Sequence, residues 1–159
     1  MSKFQILVST MHSKFFERED LDQFPDDSIV IDQKPKSKIE TRFQHIKTEE
    51  LGLSKSRNLA LKHSSPDKEF LIFADDDFRF VNNYKELIDR TINQIGNADV
   101  IVFPCTTEQG KLRRSYKLGD ELSFSKCLGL CSAELMYKKS FLLEHKLSFN
   151  TKFGLGATY

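Results

Sequence analysis

At 159 residues the chain has the length of one domain, enough to bury a hydrophobic core of ordinary size. Hydrophobic residues make up 39%, charged residues 30%, and the formal net charge is +1, so no global field argues for nucleic acid or an anionic membrane as partner and any charge chemistry must be local. No apolar run approaches the roughly 18 to 20 residues that span a bilayer, and Met1 leads straight into a strand-like stretch without a signal peptide's apolar region, which makes the cytoplasm the expected compartment.

In chain order, "FQILVST" (4–10) is a short apolar run rich in β-branched residues, and "SIVID" (28–32), "EFLIFA" (69–74) and "DVIVFPC" (99–105) repeat that character. Their apolarity is nearly continuous rather than alternating, which implies cover on both faces, as in a parallel sheet between helices. Helices are expected at about 12–22, 54–64 and 83–96. The last shows Tyr84, Leu87, Ile88, Thr91, Ile92 and Ile95 at three- and four-residue spacing. "RFQHIKT" (42–48) alternates and reads as a weaker strand toward an edge. "GKLRRSYKLGDE" within the irregular stretch 110–129 reads as a polar, basic loop or hairpin, and "SAELMYKKSFLLEH" (132–145) as a strand passing into a helix near Ser140. The alternation predicts an open α/β sheet in a single domain over 1–159.

Three cysteines make a poor disulfide framework and suit a reducing compartment. Cys127 and Cys131 are spaced C-x3-C, but neither a second Cys pair nor a nearby His completes a zinc set, so both are expected as buried thiols free of metal.

Two half-sites stand out. Gly52 and Ser54 precede "SRNLALKH" as a helix start, with Ser54 expected as N-cap. The first turn of a helix favours acidic residues because its free N–H groups carry about half a positive charge. Here Lys55 and Arg57 occupy it. A phosphate docked on those N–H groups would remove the conflict; the plainer alternative is that both side chains turn into water. In "EFLIFADDDF" an apolar strand runs into Asp75, Asp76 and Asp77. Extended geometry would put Asp75 and Asp77 on one side, where two like charges call for a cation. Mg²⁺ or Mn²⁺, held by one or two carboxylates plus substrate phosphates, is the expected occupant, at the carboxyl end of a strand where open α/β sheets bind ligands. One diphosphate between the helix start and a carboxylate-bound metal explains both anomalies.

The stretches "ILVSTMHSK", "VIDQ", "GLSKSRNLAL" and "FADDDF" together resemble family 2 glycosyltransferases of the GT-A fold, of the bacterial kind that builds surface polysaccharides. In that family a G-L-S-x-[AS]-R-N-x-A helix precedes the strand bearing a D-x-D motif, as here, and the resemblance extends to "FGLGATY". It implies a GT-A, Rossmann-like, mainly parallel open sheet with helices on both faces. It also implies a metal-dependent transfer from a nucleotide sugar, with UDP the expected nucleotide, to a glycan or lipid-linked acceptor. Residue by residue, the resemblance puts Ser9 and Thr10 in the nucleotide pocket, Asp32 or Gln33 against the base, and Arg57 and Asn58 near base and phosphates. Asp77 is expected on the metal, with Asp75 as a second ligand, and Asp75 or Asp76 on the ribose.

Family members continue into a second half that carries an acidic catalytic base, so the chain is expected to hold the donor half and to lack the acceptor-binding portion, with the base beyond Tyr159. Otherwise Glu108, Asp120 or Glu121 would serve. The alternative is a nucleotide-sugar-binding module without turnover; a D-x-D phosphatase with Asp75 as nucleophile is disfavoured, since that motif continues with Thr or Val where this chain has Arg79. "KPKSK" (34–38) is expected as a solvated loop. "KLRR" (111–114) is also read as solvated, with contact to a lipid-linked diphosphate or a membrane face as the weaker alternative.

Overall fold

The computed structural model describes residues 2–36, 38–107 and 109–153. Six strands form one sheet: β1 (Phe4–Met11), β2 (Ile29–Gln33), β3 (Gln44–Thr48), β4 (Phe70–Asp75), β5 (Val100–Val102) and β6 (Leu135–Lys138). Their spatial order is β3-β2-β1-β4-β6-β5. β3, β2, β1 and β4 run parallel, whereas β6 is antiparallel to both β4 and β5. The expected α/β sheet is therefore present, with one reversed strand that the apolar runs alone did not reveal. Helices α1 (Leu53–His63), α2 (Tyr84–Ile95), α3 (Phe124–Cys127) and α4 (Lys139–Glu144) complete the fold.

The continuous apolarity of the inner strands has the expected cause. Even-numbered residues of β1 and β4 (Phe4, Ile6, Val8; Phe70, Ile72, Ala74) pack under Ile88 and Ile92 of α2 and against Phe15 and Phe24. Odd-numbered residues (Leu7; Leu71, Phe73) join Ile29 and Ile31 of β2 beneath Ala60 of α1 and Leu142 of α4. A strand buried on both faces cannot alternate. β3, at the edge of the sheet, has no fully buried residue, and its exposure does not strictly alternate as the sequence pattern suggested.

The helix expected over 12–22 does not form. Two 3-10 turns, Lys14–Glu17 and Leu21–Gln23, stand in its place. His12 and Ser13 adopt positive φ (56° and 63°), and the amides that would open a helix are taken by strand side chains. Ser13 N–H donates to Asp32 Oδ1 (2.9 Å) and Phe15 N–H to Thr10 Oγ1 (3.0 Å). The N-cap of α1 is Gly52 (φ 131°), not Ser54, which lies inside the helix and donates its hydroxyl to the Phe153 carbonyl. Cys127 is exposed and Cys131 half-buried, so neither is the core thiol the sequence suggested. β5 stops before Pro104, short of the expected 105.

Candidate functional site

The carboxyl ends of β1, β2 and β4 line up: Ser9 pairs in register with Asp75, and Thr10 with Asp32. α1 begins beside them. Three strand ends and a helix start thus converge at the place where open α/β sheets bind ligands.

Arg57 and Asp75 meet directly. Arg57 Nη2 donates to Asp75 Oδ1 at 2.9 Å and to Ser132 Oγ at 2.7 Å, and its guanidinium lies 5.5 Å from the Phe149 ring centroid. The Arg57 side chain is 10% exposed and that of Asp75 41%. With Gly52 as N-cap, Arg57 is the fifth residue of α1 and lies past the first turn expected for it; its charge is offset by a carboxylate of the neighbouring strand, while Arg57 Nε is buried without a hydrogen-bond partner. Lys55, one residue before the buried Ser56, is exposed.

The three aspartates diverge. β4 ends at Asp75 and the chain turns at once, Phe78 N–H donating to the Asp75 carbonyl at 3.2 Å, so the extended geometry expected through Asp77 stops short of it. Asp75 faces α1. Asp76 lies toward the opposite face, where its Oδ2 accepts from Thr10 Oγ1 at 2.7 Å and its carbonyl from Arg18. Asp77 is exposed, and among the described residues no hydrogen bond or ion pair holds it. Their carboxylates do not gather within 4.8 Å of one another.

The other expected residues have internal partners. Ser9 is buried and accepts from Ser56 Oγ (2.8 Å). Asp32 is fully buried, accepting from Ser13 N–H, Ser13 Oγ (2.8 Å) and His45 Nε2 (3.1 Å). Gln33, 4% exposed, accepts through Oε1 from Gly52 N–H (2.7 Å) and so ties β2 to the start of α1. Asn58 clamps the backbone of Phe149 in both directions at 2.8 Å. The sequence missed Ser132 and Arg18 as members of this network. Each is distant in the chain from the residue it holds and carries no motif of its own.

Glu108 lies outside the described residues, as does 154–159 of "FGLGATY". The 106–112 segment closes through a Thr106–Leu112 bridge, with Gly110 at φ 75° permitting the turn. Of the "KLRR" cations, Arg114 donates to the Lys126 and Leu128 carbonyls and Arg113 lies 4.0 Å from Glu134.

No protein-family model matches the chain, and no curated protein matches it by sequence. Solved structures do. S. aureus TarS, residues 1–349, superimposes with a TM-score of 0.75 at 18% identity over 97% of this chain and 52% of that one. The same fragment in complex with UDP-GlcNAc gives 0.64 at 17% identity, over 93% and 48%. A more distant match, the 4-diphosphocytidyl-2C-methyl-D-erythritol synthase of Anaerococcus prevotii, gives 0.51 at 10%, over 94% and 78%. The chain spans about half the length of the TarS fragment it matches. The strand order, the helices on both faces and the superposition together give this chain an α/β fold of the GT-A type, shared with TarS.

Proposed function

We propose that the chain is the donor-binding part of a metal-dependent glycosyltransferase. Its donor is a nucleotide sugar, with UDP as nucleotide, and its acceptor a glycan or lipid-linked glycan of a cell-surface polysaccharide. The observation that carries this reading is the meeting of the Arg57 end of α1 with the Asp75–Asp77 end of β4 at the ligand-binding edge of a GT-A sheet. The UDP-GlcNAc and UDP complexes of TarS support the choice of donor.

The carboxylates suit a hard divalent cation. Asp77 is exposed and unpartnered among the described residues, and Asp75 commits one oxygen to Arg57 while its side chain remains 41% exposed. Asp77 and Asp75 would hold Mg²⁺ or Mn²⁺, which when bound would neutralise charge on the departing diphosphate. Lys55 and the free amides at the start of α1 would take the phosphate oxygens, and Ser9, Thr10, Asp32, Gln33, Asn58 and Asp76 would line or brace the nucleoside side. The acceptor hydroxyl would attack the anomeric carbon as the nucleoside diphosphate leaves, its proton passing to an acidic side chain acting as base. No helix among the described residues is long and apolar enough to cross a membrane; a lipid-linked acceptor would be met in the cytoplasm at the membrane's inner face.

A second reading is donor binding without turnover. Calorimetry decides the first point: UDP-GlcNAc with Mn²⁺ should give a binding signal that EDTA abolishes, and equal binding with and without metal would contradict the carboxylate–metal assignment. Transfer to an added acceptor by the 159-residue chain would refute the second reading.

A further inference from the structure

Cys105, Cys131 and Glu134 come together at the far side of the sheet edge. Cys105 follows β5, Cys131 caps the 3-10 turn Ser132–Glu134 that enters β6, and Glu134 ends that turn. One ligand atom from each lies within 4.8 Å of the other two. The backbone holds them there: Phe103 N–H donates to the Glu134 carbonyl (2.8 Å), Arg113 N–H to the Cys105 carbonyl (2.9 Å) and Cys131 N–H to Glu134 Oε2 (2.8 Å).

The second observation concerns Glu134 itself. The residue is 1% exposed, and its Oε1 is buried without a hydrogen-bond partner. A carboxylate oxygen removed from water and left unpaired is unfavourable unless something positive reaches it. Arg113 stands 4.0 Å away, on the side of the already bonded Oε2. Two half-buried thiols are the other groups at hand, and without a cation they give the oxygen no charge compensation.

We propose that Cys105, Cys131 and Glu134 form a binding site for a thiophilic divalent cation, of which Zn²⁺ is the natural occupant. Two thiolates on a tetrahedral ion with Zn–S bonds near 2.3 Å sit about 3.8 Å apart, so a small contraction of the observed cluster closes it around one ion. Two thiolates, one carboxylate and an open fourth position form a sulfur–oxygen set that selects Zn²⁺ over Mg²⁺ or Mn²⁺, which separates it from the all-oxygen set at Asp75 and Asp77. Burial first and then the neighbouring Cys131 and Glu134 push the Cys105 thiol up to about 12. Cys127, the C-x3-C neighbour of Cys131, is exposed and outside the cluster. An ion here would also fix the turn that carries Ser132, the acceptor of the Arg57 hydrogen bond.

The test uses Co²⁺ as a spectroscopic probe on the reduced, metal-stripped 159-residue chain. One equivalent of Co²⁺ should produce a thiolate-to-metal charge-transfer band in the near ultraviolet that Zn²⁺ displaces. Cys105→Ser and Cys131→Ser should each weaken binding by more than the roughly 10- to 100-fold that a mere supporting residue costs, and Cys127→Ser should leave it unchanged. Since substitution at Glu134 risks the fold, the wild-type chain supplies a second readout: Zn²⁺ should protect Cys105 and Cys131, but not Cys127, from iodoacetamide. Absence of the charge-transfer band, its loss in Cys127→Ser alone, equal alkylation of all three cysteines with and without Zn²⁺, or a Cys105–Cys131 disulfide that persists in reduced protein would each overturn the proposal.

Discussion

Arg57 and Asp77 sit within one edge of the sheet but have opposite energetic characters. Arg57 is nearly buried and holds Asp75 and Ser132 at once, so Arg57→Ala strands a half-buried carboxylate and a hydroxyl. It should destabilise the fold by about 1–3 kcal/mol in urea unfolding. Arg57→Lys should recover only part of that, because an ammonium cannot reproduce the planar fork against both partners and the Phe149 ring. Asp77 is exposed and unpartnered among the described residues, so Asp77→Asn should shift stability by no more than about 0.5 kcal/mol while weakening metal-dependent donor binding. A large loss of stability in Asp77→Asn would show that the carboxylate serves the fold. The charge anomalies of residues 55–77 were legible in the sequence as a candidate site. That Arg57 answers Asp75 internally was not, because the sequence gives no register between α1 and β4.

At the scale of elements, legibility followed burial. β1, β2 and β4 announced themselves because both faces are covered, and α2 because its apolar stripe meets one side of the sheet. The 12–22 segment misled because the amides of Ser13 and Phe15 are claimed by Asp32 and Thr10 across the fold, a tertiary contact that no local pattern encodes. Arg18 closes that segment through Asp20, by a 2.8 Å bond from Nε to Oδ1, and through the Asp76 carbonyl. The Arg18 hydrogen bonds hold the Asp20 carboxyl below its ordinary value. A carboxyl depressed by folding contributes stability that is present above its unfolded pKa and is lost as pH falls through the lower folded value. Asp20→Asn should therefore flatten the acid limb of the stability profile below about pH 4, measured by denaturant midpoints across pH; an unchanged slope would contradict the assignment. At the start of α1, Gly52 takes φ 131° and ψ 128°, a region essentially closed to side chains. Gly52→Ala should destabilise by about 1–3 kcal/mol, whereas Ser54→Ala, at the position first read as the cap, should have a smaller effect.

Across the whole molecule, the β3-β2-β1-β4-β6-β5 order places every residue of the candidate donor site on β1, β2, β4 and α1 or their ends, with the Cys105–Cys131–Glu134 cluster one strand further out. The reversed β6 brings Ser132 back to Arg57 and thereby links the outer edge to the candidate site. The central claim is that a nucleoside diphosphate binds where the ends of β1 and β4 meet the start of α1. Backbone amide hydrogen exchange, compared with and without saturating UDP and Mn²⁺, tests it most directly. The account predicts slowed exchange at residues 9–13, 54–58 and 75–79, with α2 unchanged; no slowing in those three segments, or slowing confined to α2 and the β5 edge, would contradict it.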